Sequence, residues 1–209
     1  MKGYSNVFEP TLDDLKEVFY LKGKWRDKFF HNNNPIILEL GCGMGEYSVG
    51  LAEKHPENNY IGIDIKGARM WQGATISNNK GMKNIGFLRI RIEWIEYCFS
   101  PKEIDEIWIT FPDPQLKKSR QDKRLTHPDF LERYKKIVKD HTLIHLKTDS
   151  QFLHGFTLGV IASKGYKLID SINDLYRQSI HIENMEIKTH YEKKFLKEGL
   201  PITYLSFIL

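Results

Sequence analysis

From Pro35 onward, short apolar runs alternate with longer amphipathic ones, and no other feature constrains the fold as much. Ile36–Leu40, Tyr60–Asp64, Asn84–Ile90, Asp105–Thr110 and Leu143–Lys147 read as strands. Glu46–Lys54, Lys66–Asn79, a short stretch near Glu93–Phe99, Pro128–Lys139 and Gln151–Ser163 read as helices between them. Such alternation builds an α/β, doubly wound, mostly parallel sheet. Tyr166–Asp170 and Ile202–Leu209 bring the expected count to seven strands. Only a short helix around Tyr191–Lys197 approaches the last strand, which is therefore expected to insert antiparallel. Asn32-Asn33-Asn34-Pro35 marks a loop. Ahead of it, Leu12–Phe19 reads as an amphipathic helix with Thr11 as N-cap and Asp13 and Asp14 in its first turn. We expect one domain over residues 1–209, with residues 1–34 a short helical extension and residues 35–209 the core.

In sheets of this kind ligands bind beyond the carboxyl ends of the strands. After the first strand comes Glu39-Leu40-Gly41-Cys42-Gly43-Met44-Gly45-Glu46, and Asp64 ends the second. The glycines allow a tight turn and close approach of a ligand. An acid at the end of strand two can accept both hydroxyls of a ribose. A dinucleotide needs Gly-x-Gly-x-x-Gly and a helix N-terminus that holds pyrophosphate. The spacing here is Gly-x-Gly-x-Gly, and Glu46 stands where pyrophosphate would lie. S-adenosylmethionine carries no phosphate, and its ammonium and sulfonium suit Glu39, so it is the favoured ligand. The bland alternative is a glycine turn that only packs a helix on a strand.

After the fourth strand, Phe111-Pro112-Asp113-Pro114 runs into Gln115-Leu116-Lys117-Lys118-Ser119-Arg120-Gln121-Asp122-Lys123-Arg124. The prolines restrict the Asp113 backbone and so aim one carboxylate. The basic side chains beside it suit a polyanion. A net charge of +4 would not argue for nucleic acid alone; this local placement does. Cys42 and Cys98 have no metal-ligand spacing and imply no disulfide framework, and the eight histidines show no metal spacing. We expect no metal. The first ten residues lack the apolar core of a signal peptide, and no apolar run approaches the ~20 residues of a membrane span. A cytoplasmic enzyme, monomer or homodimer, is expected.

Glu39–Gly45, Gly62-Ile63-Asp64, Phe111–Arg124, Lys147-Thr148-Asp149 and Tyr191-Glu192 fall in an order and spacing that resembles the bacterial tRNA (guanine-N7)-methyltransferases. The resemblance runs from about Pro35 to the C-terminus. It implies a Rossmann-like class I S-adenosylmethionine-dependent methyltransferase that methylates a guanine N7 in the variable loop of tRNA. It also implies that Glu39, Asp64 and Asp113 contact the cofactor, with Gly41 and Gly43 in its loop. Lys117, Asp149 and Thr189-His190-Tyr191-Glu192 would contact the guanosine. Many relatives hold the adenine with an acid after the third strand; this chain has Arg91 there, with Glu93 two residues on. Arginine cannot accept from the adenine amino group. It can stack on the ring, leaving the acceptor role to Glu93 or a carbonyl. Relatives often have Trp-Pro where Gln115-Leu116 stands.

Guanine N7 has an in-plane lone pair and no hydrogen, so the implied reaction needs no strong base. Positioning then dominates, and Asp113 would stabilise positive charge developing on the ring. Its plain alternative is a turn acid. Lys117, Lys118, Arg120, Lys123 and Arg124 would bind phosphates, in a loop over Leu116–Leu125 expected to be mobile. Asp149 would accept from guanine N1–H and N2–H₂; either it or Ser150 would cap the Gln151 helix. Tyr191 and Glu192 would stack on and hydrogen-bond to a splayed base. Trp71 and Trp108 are expected in the core, and His127 and His145 to cap or pack. Methylation of a nucleobase amino group competes, but that chemistry usually places an aromatic residue where Gln115 stands. A non-catalytic RNA-binding domain would have a degraded glycine loop, and this one is intact.

Overall fold

A computed structural model of the chain describes residues 3–177 and 182–209. From edge to edge its sheet runs β1 (Val7–Phe8), β4 (Ile85–Arg89), β3 (Asn59–Asp64), β2 (Ile36–Leu40), β5 (Ile104–Thr110), β6 (Val138–Thr148), β8 (Thr203–Ile208) and β7 (Lys167–Ile172). The first six are parallel, and β8 inserts antiparallel between β6 and β7, as expected. The helices are α1 (Leu12–Lys16), α2 (Glu46–Lys54), α3 (Gly67–Asn79), α4 (Ile95–Cys98), α5 (Pro128–Lys135), α6 (Gln151–Lys164) and α7 (His190–Lys197).

Both faces of the sheet are buried. Ile36, Leu38 and Leu40 of β2 join one apolar cluster with Ile61, Ile63, Ile107 and Ile109. Ile37 points the other way, into a second cluster with Tyr60, Phe87, Trp108 and Tyr204. Two covered faces are why the strands read as apolar runs without alternation.

The sheet has eight strands, not seven. β1 is too short to carry a period, yet it pairs with β4, and the Phe87 N–H donates to the Asn6 carbonyl. Residues 3–34 are helical only over Leu12–Lys16 and, as a π turn, Trp25–Phe30. Trp25 is fully buried, stacks on Phe99 and donates from Nε1 to the Cys98 carbonyl. The capping box at Thr11 forms, but α1 stops at Lys16. α5 ends at Lys135 rather than Lys139, because Val138 pairs with Ile104 and draws the chain into β6 five residues before Leu143. Trp71 is 51% exposed instead of in the core. α3 buries Met70, Gly73, Ala74 and Ser77, a helical stripe that turns position 71 outward.

Candidate active site at the carboxyl ends of the strands

The glycine loop leaves β2 and folds back on β3. The N–H groups of Gly41 and Cys42 donate to the Ile63 carbonyl. Asp64 accepts from the Gly43 N–H at 3.0 Å through one oxygen and from the Lys66 N–H at 2.7 Å through the other. It thereby fixes the loop against the start of α3. Gly43 and Gly45 both have positive φ but do different work. A Cβ on Gly43 would meet nothing within 4 Å, so its face is open to a ligand. A Cβ on Gly45 would lie 2.6 Å from the Phe87 ring, so that glycine serves packing.

Glu39 lies beneath this loop at 3% exposure. It accepts from the Ser48 N–H and hydroxyl and from the Thr110 hydroxyl, tying α2 to the end of β5. Those bonds fill three of the roughly four acceptor positions of a carboxylate and leave one for a ligand cation. Burial pushes its carboxyl up to about 7, against the pull of the Ser48 and Thr110 bonds.

Two cavities meet at Gly41 and Asp64. The larger, about 330 Å³, has apolar walls of Ile65, Ile90, Ile92, Leu125 and Phe130 and polar groups at Glu93 and Arg91. The smaller, about 70 Å³, lies over the glycine loop between Thr110, Phe111, Arg69, Thr189 and Tyr191. The pair forms a cleft of the size and chemistry of an adenosyl site: an apolar slot for a base, an acid for ribose hydroxyls and open glycines. At its rim Arg91 bonds Glu93 at 3.1 Å and lies 5.9 Å from the Trp94 ring. Burial raises the Glu93 carboxyl, but hydrogen bonds from its own backbone and from Arg91 outweigh this and hold it below the usual range. Of the two, Glu93 alone can accept a hydrogen bond.

Beyond β5 the chain turns through two left-handed residues, Phe111 at φ 47° and Gln115 at φ 46°, with the Pro-Asp-Pro segment between them. Non-glycine residues rarely hold this conformation. The Phe111 N–H donates to the Lys147 carbonyl, which anchors the entrance. Asp113 is exposed, lines neither cavity and accepts from the Gln115 N–H at 2.9 Å through Oδ1, so it does cap the turn.

The expected phosphate ligands divide. Lys117, Lys118 and Arg120 are exposed. Lys118–Lys123 forms a 3₁₀ helix where a mobile loop was expected. Lys123 is exposed too, but lies 3.7 Å from Glu93 and 3.5 Å from Asp122. Arg124 corrects the sequence reading outright. It is only 4% exposed, donates to the Pro114 and Gln115 carbonyls and lies 4.7 and 4.4 Å from the Phe152 and Phe156 rings. It clamps the turn that carries Asp113 and cannot reach a phosphate.

After β6, Ser150 caps α6, which relieves Asp149 of that duty. Burial raises the Asp149 carboxyl. Thr189 caps α7, and the His190 N–H donates to Glu46 at 2.7 Å. Tyr191 faces the small cavity. Glu192 does not face it. It is fully buried under α7, 2.8 Å from the equally buried Lys147, and accepts from the Tyr176 hydroxyl. A role on the guanine is therefore withdrawn for Glu192. His127 caps α5, and His145 stacks on Trp108, as expected.

Sequence reasoning gave no site role to Lys147, Glu46 or Arg69. Lys147 carried a signal, a lysine inside the apolar run of β6, which demands a buried partner. Glu46 was read only as an obstacle to pyrophosphate, and Arg69 carried no signal, being one charge among many on a helix. Among the described residues no helix is long and apolar enough to cross a membrane, and no group of three or more His, Cys, Asp and Glu could hold a metal ion.

This strand order, with a glycine loop after the central strand and an acid ending its neighbour, defines a class I S-adenosylmethionine-dependent methyltransferase. A family model described as "Putative methyltransferase" matches residues 33–205. The 16S rRNA methyltransferase KamB superposes with a TM-score of 0.66 at 15% identity, over 87% of this chain and 91% of its own, a likeness of fold. Among sequence relatives, the tRNA (guanine-N(7)-)-methyltransferase of Christiangramia forsetii is 50% identical, covering 98% of this chain and 92% of that protein. That of Bacteroides fragilis is 48% identical, covering 100% and 82%. The chain belongs to the tRNA (guanine-N7)-methyltransferase family.

Proposed function

We propose that the protein methylates N7 of a guanine in the variable loop of tRNA, in the cytoplasm, and that the cleft beside Asp113 is where it does so. The observation that carries this reading is the meeting over the glycine loop of Phe111, which opens the Asp113 turn after β5, with Thr189 and Tyr191 at the start of α7.

S-adenosylmethionine supplies an electrophilic methyl group on a sulfonium. Asp64 accepts the ribose hydroxyls while it holds the Gly43 N–H in place. Glu39 offers its last acceptor position to the ammonium. The slot between Ile65, Ile90 and Leu125 takes the adenine, with Glu93 as acceptor at its edge and Arg91 stacked nearby. Tyr191 stacks on the guanine, and Asp149 accepts from its Watson–Crick edge. Lys117, Lys118 and Arg120 bind tRNA phosphates, which set register and not base identity.

The nucleophile has no proton to lose. Asp113 therefore acts as a carboxylate whose Oδ1 is tied to the turn and whose charge faces the ring as N7 becomes positive. Its geometry is set before substrate arrives, by Phe111, Gln115 and Arg124.

The test is to incubate the protein with methyl-labelled S-adenosylmethionine and tRNA lacking 7-methylguanosine, then map the labelled base. Label at guanine N7 is expected. Label on an exocyclic amine, or cofactor binding without transfer to tRNA, would sink the reading.

A further inference from the structure

Arg69 stands in the first turn of α3 and lines the small cavity opposite the Asp113 turn. Its side chain is exposed, and its guanidinium lies 6.0 Å from the centre of the Tyr191 ring. The other arginines are mostly committed. Arg26, Arg89, Arg91, Arg133 and Arg177 each pair with a carboxylate, and Arg124 is buried on carbonyls. Arg69 has no carboxylate partner among the described residues; of the exposed arginines it shares that state with Arg120 of the basic loop.

The wall it leans on is built firmly. α7 is anchored from below by Glu192 on Lys147 and at its N-terminus by the His190 N–H on Glu46. The Tyr191 ring stacks on Phe195 at 6.4 Å. A guanidinium held against an aromatic face keeps its N–H edge free for an anion in its own plane.

Topology places this cation. α3 follows β3 and the basic loop follows β5, and these two strands flank β2 on opposite sides. Arg69 and the Lys117–Arg120 group therefore stand on opposite sides of the glycine loop. A nucleotide whose base enters the cleft carries a phosphate on each side of its ribose. The basic loop serves only one side.

We propose that Arg69 binds the second of these, a tRNA backbone phosphate next to the target guanosine, so that the nucleotide is gripped from both sides while its base lies on Tyr191. This rests on the tRNA reading above. Arginine suits the place because its planar fork engages two phosphate oxygens at once. The competing anion is the carboxylate of the methyl donor, which would make Arg69 a cofactor ligand instead.

Arg69→Gln and Arg69→Lys separate these cases without threatening the fold, because the side chain is exposed. KM for unmodified tRNA would be measured across ~50–200 mM salt, and S-adenosylhomocysteine, which keeps the donor carboxylate, titrated by calorimetry. Arg69→Gln is expected to raise KM for tRNA about 5- to 10-fold, to reduce the salt slope by about one, and to leave S-adenosylhomocysteine affinity unchanged. Arg69→Lys should restore the slope but only part of the affinity. Weaker S-adenosylhomocysteine binding with an unchanged tRNA slope would assign Arg69 to the donor and overturn the proposal. So would no change in either. A wild-type protein that labels no guanine N7 would overturn the functional reading and this one with it; a competent wild type with an indifferent Arg69→Gln would overturn this one alone.

Discussion

Lys147 Nζ lies 2.8 Å from the Glu192 carboxylate, and neither side chain has any exposed surface. Lys147 also gives its backbone carbonyl to Phe111, the left-handed residue that opens the Asp113 turn. One residue of β6 thus joins α7, which carries Tyr191, to the turn that carries Asp113. Burial depresses the lysine's affinity for its proton, and Glu192 offsets only part of that.

Breaking this pair from one side leaves a buried charge. Lys147→Met is expected to lower unfolding free energy by about 3–5 kcal/mol. The double variant Lys147→Met with Glu192→Leu should recover most of that loss, since apolar replacements of buried pairs are often neutral. Urea denaturation of the wild type, both single variants and the double variant measures the coupling. Additive losses would show that the pair is not the unit.

Glu39 gives stability a pH dependence of known sign. Its carboxyl is raised to about 7 in the fold from an ordinary 4.5, so the folded state holds the proton more tightly. Its contribution is full below about 4.5 and is lost as pH rises through about 7. Glu39→Gln should remove that component, seen as a flatter stability profile between those values. An ammonium beside Glu39 favours its charged form, so S-adenosylmethionine binding near pH 7 should release protons in the wild type and fewer in Glu39→Gln. Calorimetry in buffers of different ionisation enthalpy reads this directly.

Asp113 and Arg124 should fail in different ways. Asp113→Asn keeps an acceptor for the Gln115 N–H and loses the charge. Turnover is expected to fall roughly 10²–10³-fold with thermal stability nearly intact. Arg124→Ala removes two carbonyl bonds and the contacts with Phe152 and Phe156. It should lower turnover while leaving the salt slope of tRNA binding unchanged. Lys117→Ala with Lys118→Ala should reduce that slope by about two. A reduced slope in Arg124→Ala would contradict its role as a clamp.

The glycines of the cofactor loop should separate by readout. Gly43→Ala meets open space, so it should weaken donor binding while costing only the roughly 1–2 kcal/mol of a left-handed alanine. Gly45→Ala runs into Phe87 as well and should cost more stability than Gly43→Ala. Urea midpoints and S-adenosylhomocysteine titrations on both variants decide it.

Much of this architecture was legible because both sheet faces are apolar and α2, α3, α5 and α6 each bury one side. The run over residues 36–40 reads as a buried strand and Asp64 as the end of the next, and both are so in the fold. Legibility failed where a partner distant in sequence decides the outcome. Arg124 reads as one more cation until Phe152 and Phe156 enclose it. Glu192 reads as a ligand of the guanine because its partner Lys147 lies on another element. β6 starts at Val138 because Ile104 is there to pair with, and Lys139 finds Asp105 across the strand. Local propensity contains none of these facts.

The two-residue strand β1 has a consequence beyond the site. A parallel sheet that ended at β4 would offer an uncapped row of amides and carbonyls to any extended chain, including another copy of itself. Val7 and Phe8 occupy that row, held by Phe8 packed edge-on against Trp25 and Phe29. Without Val7 and Phe8, the outer edge of β4 at Phe87 and Leu88 would have no strand beside it.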